Sequence, residues 1–107
     1  MADITLTDQN FQKEVLDEAS KPVLVDFWAT WCGPCKVQGP IVEEVAKVVG
    51  DKAKVGKLDV DANPDTAQSY AVMSIPTLVI FKGGKPVWRI SGLQTKQAIM
   101  EELKKAM

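Results

Sequence analysis

The chain has 107 residues, of which 46% are hydrophobic and 25% are charged, and its formal net charge at pH 7 is −1. This size and composition predict one globular domain over residues 1–107. No apolar run approaches the ~20 residues of a membrane span, and the balance of 13 basic and 14 acidic residues gives no basic surface for nucleic acid.

The first half of the chain predicts a helix, a buried strand and a longer helix. Thr7 or Asp8 can cap a helix over residues 9–19. Residues 22–29 form an almost wholly apolar run, which predicts a central strand covered on both faces of its sheet. A long helix is predicted over residues 32–49. Its apolar residues recur at helical spacing and are expected to be buried: Val37, Ile41, Val45, Val48 and Val49.

The second half predicts a strand over residues 54–60 and a short helix over residues 63–70. Strands over residues 77–81 and 86–90 are joined by a tight glycine turn. The last helix covers residues 95–105 and is expected to bury its apolar face: Ile99, Met100 and Leu103. The order is mostly β-α-β-α-β-α-β-β-α. It predicts an α/β fold with a central mixed sheet, in which a parallel βαβ unit and an antiparallel hairpin are flanked by about four helices.

Absent residue types and motifs exclude several kinds of chemistry and targeting. The chain has no histidine, which removes Ser-His-Asp and Cys-His catalysis and His-ligated metals. No Walker-type or GxGxxG motif is present to bind phosphate. The start of the chain lacks the basic and apolar regions of a secretion signal, and two cysteines are too few for a disulfide-rich scaffold. We therefore expect a reduced, cytoplasmic compartment.

The two cysteines lie where the buried strand passes into the long helix. Cys32 and Cys35 are three residues apart, so at a helix start their sulfurs lie on one face and can meet. Cys32 would stand at the positive end of the helix, which favours thiolate over thiol. Pro34 suits the first helical turn because no partner for its missing N–H is needed there. The pattern favours redox chemistry.

Two other interpretations of the cysteine pair remain open. A structural disulfide across so short a loop would contribute at best ~2 kcal/mol and would not persist in a reducing cytosol. A zinc site needs four ligands, and the chain has no other cysteine and no histidine. Only a dimer could complete a four-cysteine site.

A single carboxylate, Asp26, lies within the apolar strand. An ionised carboxylate is costly there, so its pKa should rise toward neutrality. Since the chain has no histidine, Asp26 is the best available general base. The alternative is a structural ion pair with Lys57, the lysine of an otherwise largely apolar strand. The residues by themselves leave both interpretations open.

The sequence resembles the thioredoxin family over essentially its whole length. A bare C-x-x-C is weak support, whereas WCGPC after a buried strand, with Asp26 before it and Ile-Pro-Thr about forty residues later, is specific. The segments that carry the resemblance are VDFWA at 25–29, WCGPCK at 31–36, Pro40, KLDVD at 57–61, IPT at 75–77 and Gly92.

This resemblance implies a thioredoxin fold and a protein-disulfide reductase. Cys32 would attack a substrate disulfide, and Cys35, less exposed and protonated, would resolve the mixed disulfide. Asp26 and Lys57 would lie beneath the active site and assist proton transfer to or from Cys35. The redox-active disulfide would be the electron carrier, with no metal and no other cofactor.

The resemblance also implies how substrates dock. A cis bond before Pro76 would turn the Ile75–Pro76 loop toward the cysteines, so that the Ile75 backbone can bind an extended substrate segment. Trp28 is expected to pack against the motif and Trp31 to be exposed. The flat docking surface around Cys32 would comprise Trp31, Gly33, Pro34, Val60, Ser74, Ile75, Pro76 and Gly92.

The implied partners are disulfide-containing proteins and a thioredoxin reductase, linked to NADPH or to ferredoxin, and the expected state is a monomer. An oxidase or isomerase of secreted proteins and a redox-silent interaction subunit are the rival functions. Some residues depart from the usual family pattern. Gly39 stands where a helix former is usual, Ser74 and Ser91 make the docking surface more polar, and nothing in the pattern places Trp88.

Overall fold

The computed structural model describes residues 3–107; residues 1 and 2, which the predicted domain includes, lie outside the described residues. Within that range the chain forms these strands: β1 (Ile4–Leu6), β2 (Val23–Trp28), β3 (Lys54–Asp59), β4 (Thr77–Lys82) and β5 (Lys85–Ser91). The α-helices are α1 (Gly33–Val49), α2 (Pro64–Ser69) and α3 (Lys96–Ala106). A π-helical turn and a 3₁₀ turn cover Gln12–Leu16 and Gly50–Lys52.

The strands form one mixed sheet in the order β1-β3-β2-β4-β5. β3 pairs in parallel with both β1 and β2, β4 pairs antiparallel with β2, and β5 pairs antiparallel with β4 at the edge of the sheet. The predicted α/β architecture is therefore confirmed. β2 is bonded on both sides, which explains why nearly all of its residues are buried.

The sheet separates two hydrophobic clusters. Side chains of a strand alternate between the faces, so Leu24 lies on the side of α1 and α3, whereas Val25 and Phe27 lie on the side of the π-helical turn. Asp26 and its in-register neighbour Lys57 share the face of Leu24. Both polar side chains are consequently directed toward the helix that begins at the cysteines.

The predicted first helix is wrong in extent. Only Gln12–Leu16 is helical, and with π geometry. Thr7 and Asn10 close the preceding turn, because the Asn10 N–H donates to Thr7 Oγ1 at 3.1 Å and the Thr7 N–H donates to Asn10 Oδ1 at 2.7 Å. With the Phe11 N–H donating to the Thr7 carbonyl at 3.0 Å, these reciprocal bonds form an N-cap at Thr7, so one of the two predicted caps is confirmed although the helix is shorter than predicted.

The predicted buried face of α1 is partly wrong. Val37 and Val48 are exposed, and they lie eleven residues apart on the solvent side of the helix. The buried stripe instead comprises Cys35, Gln38, Gly39, Val42, Val45, Ala46 and Val49. The helix continues through Pro40.

Most other elements agree with their predicted bounds to within a residue or two. Thr95 caps α3 by accepting the Ala98 N–H at 3.1 Å, and Ile99 and Leu103 are buried with Met100 partly so. Trp88, which the pattern did not place, is partly buried against the α1 and α3 side of the core. No helix in residues 3–107 is both long enough and apolar enough to cross a bilayer.

Candidate active site

The junction between β2 and α1 carries the cysteine pair. Cys32 is the N-cap of α1 with an extended backbone (φ −86°, ψ 114°), and Pro34 lies in the first helical turn. The Cys35 N–H donates to Cys32 Sγ at 3.2 Å. The sulfur of Cys32 thus takes the place of a capping oxygen at the positive end of the helix, where a thiolate is stabilised.

Cys32 and Cys35 form a disulfide, with their Cα atoms 5.3 Å apart. The sulfurs therefore meet as the three-residue spacing predicted. A difference in exposure was also predicted, but in the disulfide Cys32 is 4% and Cys35 5% exposed. Both are covered by one small cluster with Ala29, in which Trp28 packs against the motif as predicted. The asymmetry between the two sulfurs comes from helix position, not from exposure.

The loop before β4 faces the disulfide. Its Ile75–Pro76 bond is cis, as the resemblance implied, and the Ile75 carbonyl oxygen lies 3.8 Å from Cys32 Sγ. The Gly92 N–H donates to the Pro76 carbonyl at 2.9 Å. Gly92 has a φ of 99°, which an L side chain rarely adopts. Two loops that are distant in sequence are thus bonded to each other beside Cys32.

The predicted docking residues differ in their exposure. Trp31 is 69% exposed, as predicted, and its indole Nε1–H donates to Asp61 Oδ2 at 2.8 Å. Val60 and Ile75 are half-buried and Pro76 is buried, so these three contribute less surface than expected. The exposed members are Trp31, Gly33, Pro34, Ser74 and Gly92.

Neighbouring residues add apolar surface that the sequence interpretation missed. Met73, two residues before Ile75, is 91% exposed, and Leu93 after Gly92 is also exposed. Ser91, expected to make the surface wetter, bonds instead through its hydroxyl to Thr77 Oγ1 at 2.9 Å. The two loops around Cys32 therefore expose more apolar area than the predicted set implied.

Two side chains that the sequence interpretation missed hold these loops in place. Gln38 is fully buried, and its amide accepts from the Gln94 N–H at 2.7 Å and donates to the Gln94 carbonyl at 3.1 Å. Arg89 donates to the carbonyls of Tyr70 and Ala71, the second at 2.8 Å. Gln38 had a sequence signal, since it is the polar member of an apolar helical stripe. Arg89 had none.

Asp26 is fully buried, and among the described residues neither of its carboxylate oxygens has a hydrogen-bond partner. Burial is the dominant cause that raises the pKa of Asp26 to about 7. The positive charge of Lys57 opposes this rise and the negative charge of Asp3 adds to it. The predicted shift toward neutrality is confirmed in direction and cause.

Lys57 does not form the structural ion pair with Asp26 that one interpretation proposed. Its Nζ lies 3.3 Å from Glu43 Oε2 and 3.9 Å from Asp3 Oδ2, and 5.6 Å from the centre of the Trp28 ring. Lys57 and Cys35 line one open cleft of about 370 Å³, whose other residues include Trp28, Lys36 and Gly39. The ammonium therefore reaches the side of α1 that carries Cys35.

The site combines a Cys32–Cys35 disulfide at a helix N-terminus, a buried acid whose pKa is raised to about 7 and an exposed rim around Trp31. A dithiol there can attack a disulfide, because one sulfur is favoured as thiolate and the second lies within bonding reach. Within residues 3–107, no group of three His, Cys, Asp or Glu side chains is placed to hold a metal ion.

Comparisons with known proteins agree with this geometry. A family model described as thioredoxin matches residues 2–105. A thioredoxin of Mycolicibacterium smegmatis is 53% identical over 99% of this chain and 96% of its own. A thioredoxin of Alicyclobacillus acidocaldarius is 51% identical over 95% of each chain. A bifunctional thioredoxin reductase/thioredoxin of Mycobacterium leprae is 51% identical over 94% of this chain, which corresponds to 22% of that longer protein.

Proposed function

The chain belongs to the thioredoxin family and is a thiol-disulfide oxidoreductase that reduces protein disulfides, and from this premise we propose the roles of its site residues. Cys32 is the attacking nucleophile, and Cys35 resolves the mixed disulfide. Asp26 accepts the proton of Cys35, and Lys57 stabilises the charge that forms. Trp31, Gly33, Pro34, Ile75, Pro76 and Gly92 receive the substrate.

The assignment of Cys32 as nucleophile is supported by its N-cap position. Its sulfur accepts a hydrogen bond from the Cys35 N–H at 3.2 Å. A helix N-terminus lowers the pKa of a thiol placed there, and each unit of lowering corresponds to about 1.4 kcal/mol in favour of the thiolate. The Cys32 thiolate attacks one sulfur of the substrate disulfide. A Cys32–substrate disulfide forms, and the other substrate sulfur leaves as thiolate.

The second step needs a thiolate at Cys35, which lies inside the first turn of α1. The Cys35 thiol transfers its proton to the Asp26 carboxylate, whose pKa of about 7 suits a base that works near neutrality. The Cys35 thiolate then attacks Cys32 Sγ, and the second substrate sulfur leaves as thiolate. The substrate gains two electrons, and the chain is left as the Cys32–Cys35 disulfide.

The proposal also covers the electron donor, the cellular compartment and the oligomeric state. The oxidised pair must receive two electrons from another protein. The M. leprae relative, which joins a thioredoxin reductase to a thioredoxin in one chain, supports a thioredoxin reductase as that donor. We further propose that residues 1–107 act as one monomeric domain in the cytoplasm, with the redox-active disulfide as its only electron-carrying group.

The observation that carries the mechanism is the Cys32–Cys35 disulfide at the N-terminus of α1. Its test is the reduction of a disulfide-containing protein with dithiothreitol as electron source. The native chain should accelerate the reaction, and Cys35→Ser should stop after one step as a mixed disulfide through Cys32, identified by mass.

The matched control is Cys32→Ser, which should form no mixed disulfide. Trapping through Cys35 instead of Cys32 would overturn the assigned roles. Replacing both cysteines by serine distinguishes a reductase from a redox-silent interaction subunit. A role that consists of binding alone would survive the replacement, whereas a reductase role would be lost.

A further inference from the structure

One face of α1 brings three residues toward Lys57. Cys35, Gly39 and Glu43 are spaced by four residues, so they lie in a row along the helix. A Cβ atom at position 39 would lie 3.2 Å from Lys57 Nζ, tighter than an ordinary contact. A methyl group at position 39 would therefore require the ammonium to shift by a few tenths of an ångström within the cleft that Cys35 also lines.

Two acidic side chains also attract the Lys57 ammonium to this position. Glu43 is the nearest acid, at 3.3 Å from Nζ, and Asp3 follows at 3.9 Å. Asp26 lies in register with Lys57 on the adjacent strand, yet its oxygens are left without a partner among residues 3–107. The ammonium is bonded toward α1 and β1 instead of toward β2.

The other groups around the two side chains are few. Asp59 lines a second cleft together with Asp3 and Lys57, and Lys36 lines the Cys35 cleft. On β4 the residue opposite Asp26 is Leu78, which carries no charge. Glu43 and Asp3 are therefore the acids that compete with Asp26 for the Lys57 ammonium by direct contact.

We propose that Gly39 and Glu43 are positioning residues, which keep the Lys57 ammonium in the cleft beside Cys35 and away from the carboxylate of Asp26. The absent side chain of Gly39 provides the space, and the Glu43 carboxylate holds the ammonium in it. This inference rests on the proposed function, in which Asp26 is the base for Cys35.

The arrangement has a chemical consequence for the second step. An ammonium bonded to Asp26 would stabilise its carboxylate and weaken it as a base. When the ammonium is held beside Cys35, it makes no direct contact with the Asp26 carboxylate, which therefore keeps its strength as a base. The same ammonium stabilises the Cys35 thiolate. The proton transfer from Cys35 to Asp26 thus receives support at both ends from one cation.

The first test compares two neighbouring glutamates of α1. Glu43→Gln should release Lys57 toward Asp26 and lower the Asp26 pKa by roughly half a unit, the size expected of a partly exposed ion pair. The Asp26 carboxyl is titrated by carbon NMR in the oxidised protein. Glu44→Gln is the matched control, because it removes the same charge from a residue that pairs with Lys96 at 2.7 Å, and it should leave the titration unchanged.

A double variant separates positioning from simple charge removal. In a Lys57→Met background, Glu43→Gln should no longer move the Asp26 titration. Equal shifts in the native and Lys57→Met backgrounds, equal shifts for Glu43→Gln and Glu44→Gln, or no shift for Glu43→Gln would each overturn the proposal.

The titration requires no catalysis, so it distinguishes this inference from the function on which it rests. If the Asp26 pKa moves as expected while the pH profile of mixed-disulfide resolution stays fixed, the positioning of Lys57 is supported and the role of Asp26 as base is overturned.

The second test fills the space beside Lys57. Gly39→Ala should shift the ammonium by a few tenths of an ångström, weaken its bond to Glu43 and slow resolution of the mixed disulfide by up to roughly three-fold near neutral pH. Because alanine is the better helix former, a slower rate would not reflect a weaker helix. In the Lys57→Met background the same substitution should have no effect on that rate. A rate that falls equally in both backgrounds, or in neither, would overturn the role of Gly39.

Discussion

Two aspartates of this chain show how the surroundings of one side chain decide its use. Asp8, before the π-helical turn, accepts hydrogen bonds from the Thr66 N–H at 2.9 Å, the Thr66 hydroxyl at 2.7 Å and the Asp65 N–H at 3.3 Å. Asp8 thus caps α2 although it is more than fifty residues away in sequence. The N-cap residue Asn63 makes no capping hydrogen bond with its own side chain. Asp26, inside β2, accepts none within the described chain.

The two regions shift the carboxyl pKa in opposite directions. Partial burial raises the pKa of Asp8, but the hydrogen bonds from Thr66 and Asp65 outweigh it and hold the pKa below its ordinary value. Burial without donors raises the pKa of Asp26 to about 7. A carboxylate whose oxygens are bonded stabilises the fold, whereas one left unbonded costs stability and remains available to exchange protons.

The largest expected effect is the pH dependence of stability due to Asp26. Its pKa rises from an ordinary value of 3.8 to about 7 in the fold, and each pKa unit corresponds to about 1.4 kcal/mol. Ionisation is harder in the folded chain, so stability is full below the ordinary pKa and falls as pH rises toward the folded pKa. The oxidised chain should lose up to about 4 kcal/mol of unfolding free energy between pH 4 and pH 8.

Asp26→Asn is the control for that profile. It removes the ionisation, so urea unfolding should show a flatter dependence over the same pH range and a more stable protein near pH 8. A native profile that is already flat there would contradict the raised pKa of Asp26.

The next effect is on catalysis and distinguishes the two aspartates. Asp26→Asn should slow resolution of the mixed disulfide by about 100-fold, the lower end of what general-base catalysis contributes. Stopped-flow measurement of substrate thiol release after mixed-disulfide formation gives the rate. Asp8→Asn should leave it unchanged, and a comparable loss in Asp8→Asn would show that the effect is structural.

Replacing Asp8 should lower the free energy of unfolding without affecting catalysis. Asp8→Ala removes the cap of α2 and should cost about 1 kcal/mol of unfolding free energy, as N-cap replacements do. The contribution of Asp8 is present above its ordinary pKa and is lost as pH falls through the lowered folded pKa. The gap between native chain and variant should therefore narrow in strong acid, where only the hydrogen bonds to the neutral carboxyl remain, and a gap that does not change with pH would contradict the assignment.

The smallest effect concerns the opposite end of α2. Arg89 bonds the carbonyls of Tyr70 and Ala71 there, and Ala71 has a positive φ of 51°. Arg89→Met should loosen the loop that leads to Ile75 and raise the KM for a protein disulfide about three-fold, a loss of the size of an ordinary hydrogen bond. The rate with a small disulfide, which does not need the loop, should stay the same; a matching loss would contradict a docking role.

Local pattern sufficed for the elements that depend on their own residues. The apolar run of β2, the glycine turn between β4 and β5 and the capped α3 follow from burial and backbone preferences that act within a few residues. The cysteine spacing at a helix start likewise predicted a disulfide that the fold contains. The raised pKa of Asp26 was predictable because the apolar run indicated a strand covered on both faces, where a carboxylate is buried whichever face it lies on.

Contacts between distant segments decided the rest. Asp8, one of the two predicted caps of the first helix, is bonded to Thr66 of α2 instead, and no pattern within residues 9–19 shows that the helix is limited to Gln12–Leu16. No local signal shows that Lys57 pairs with Glu43 and not with Asp26, because that choice depends on the space at Gly39, which only the packing of α1 on the sheet creates. The sequence alone thus predicted the redox chemistry at Cys32, whereas the position of the Lys57 ammonium beside Cys35 depends on tertiary structure.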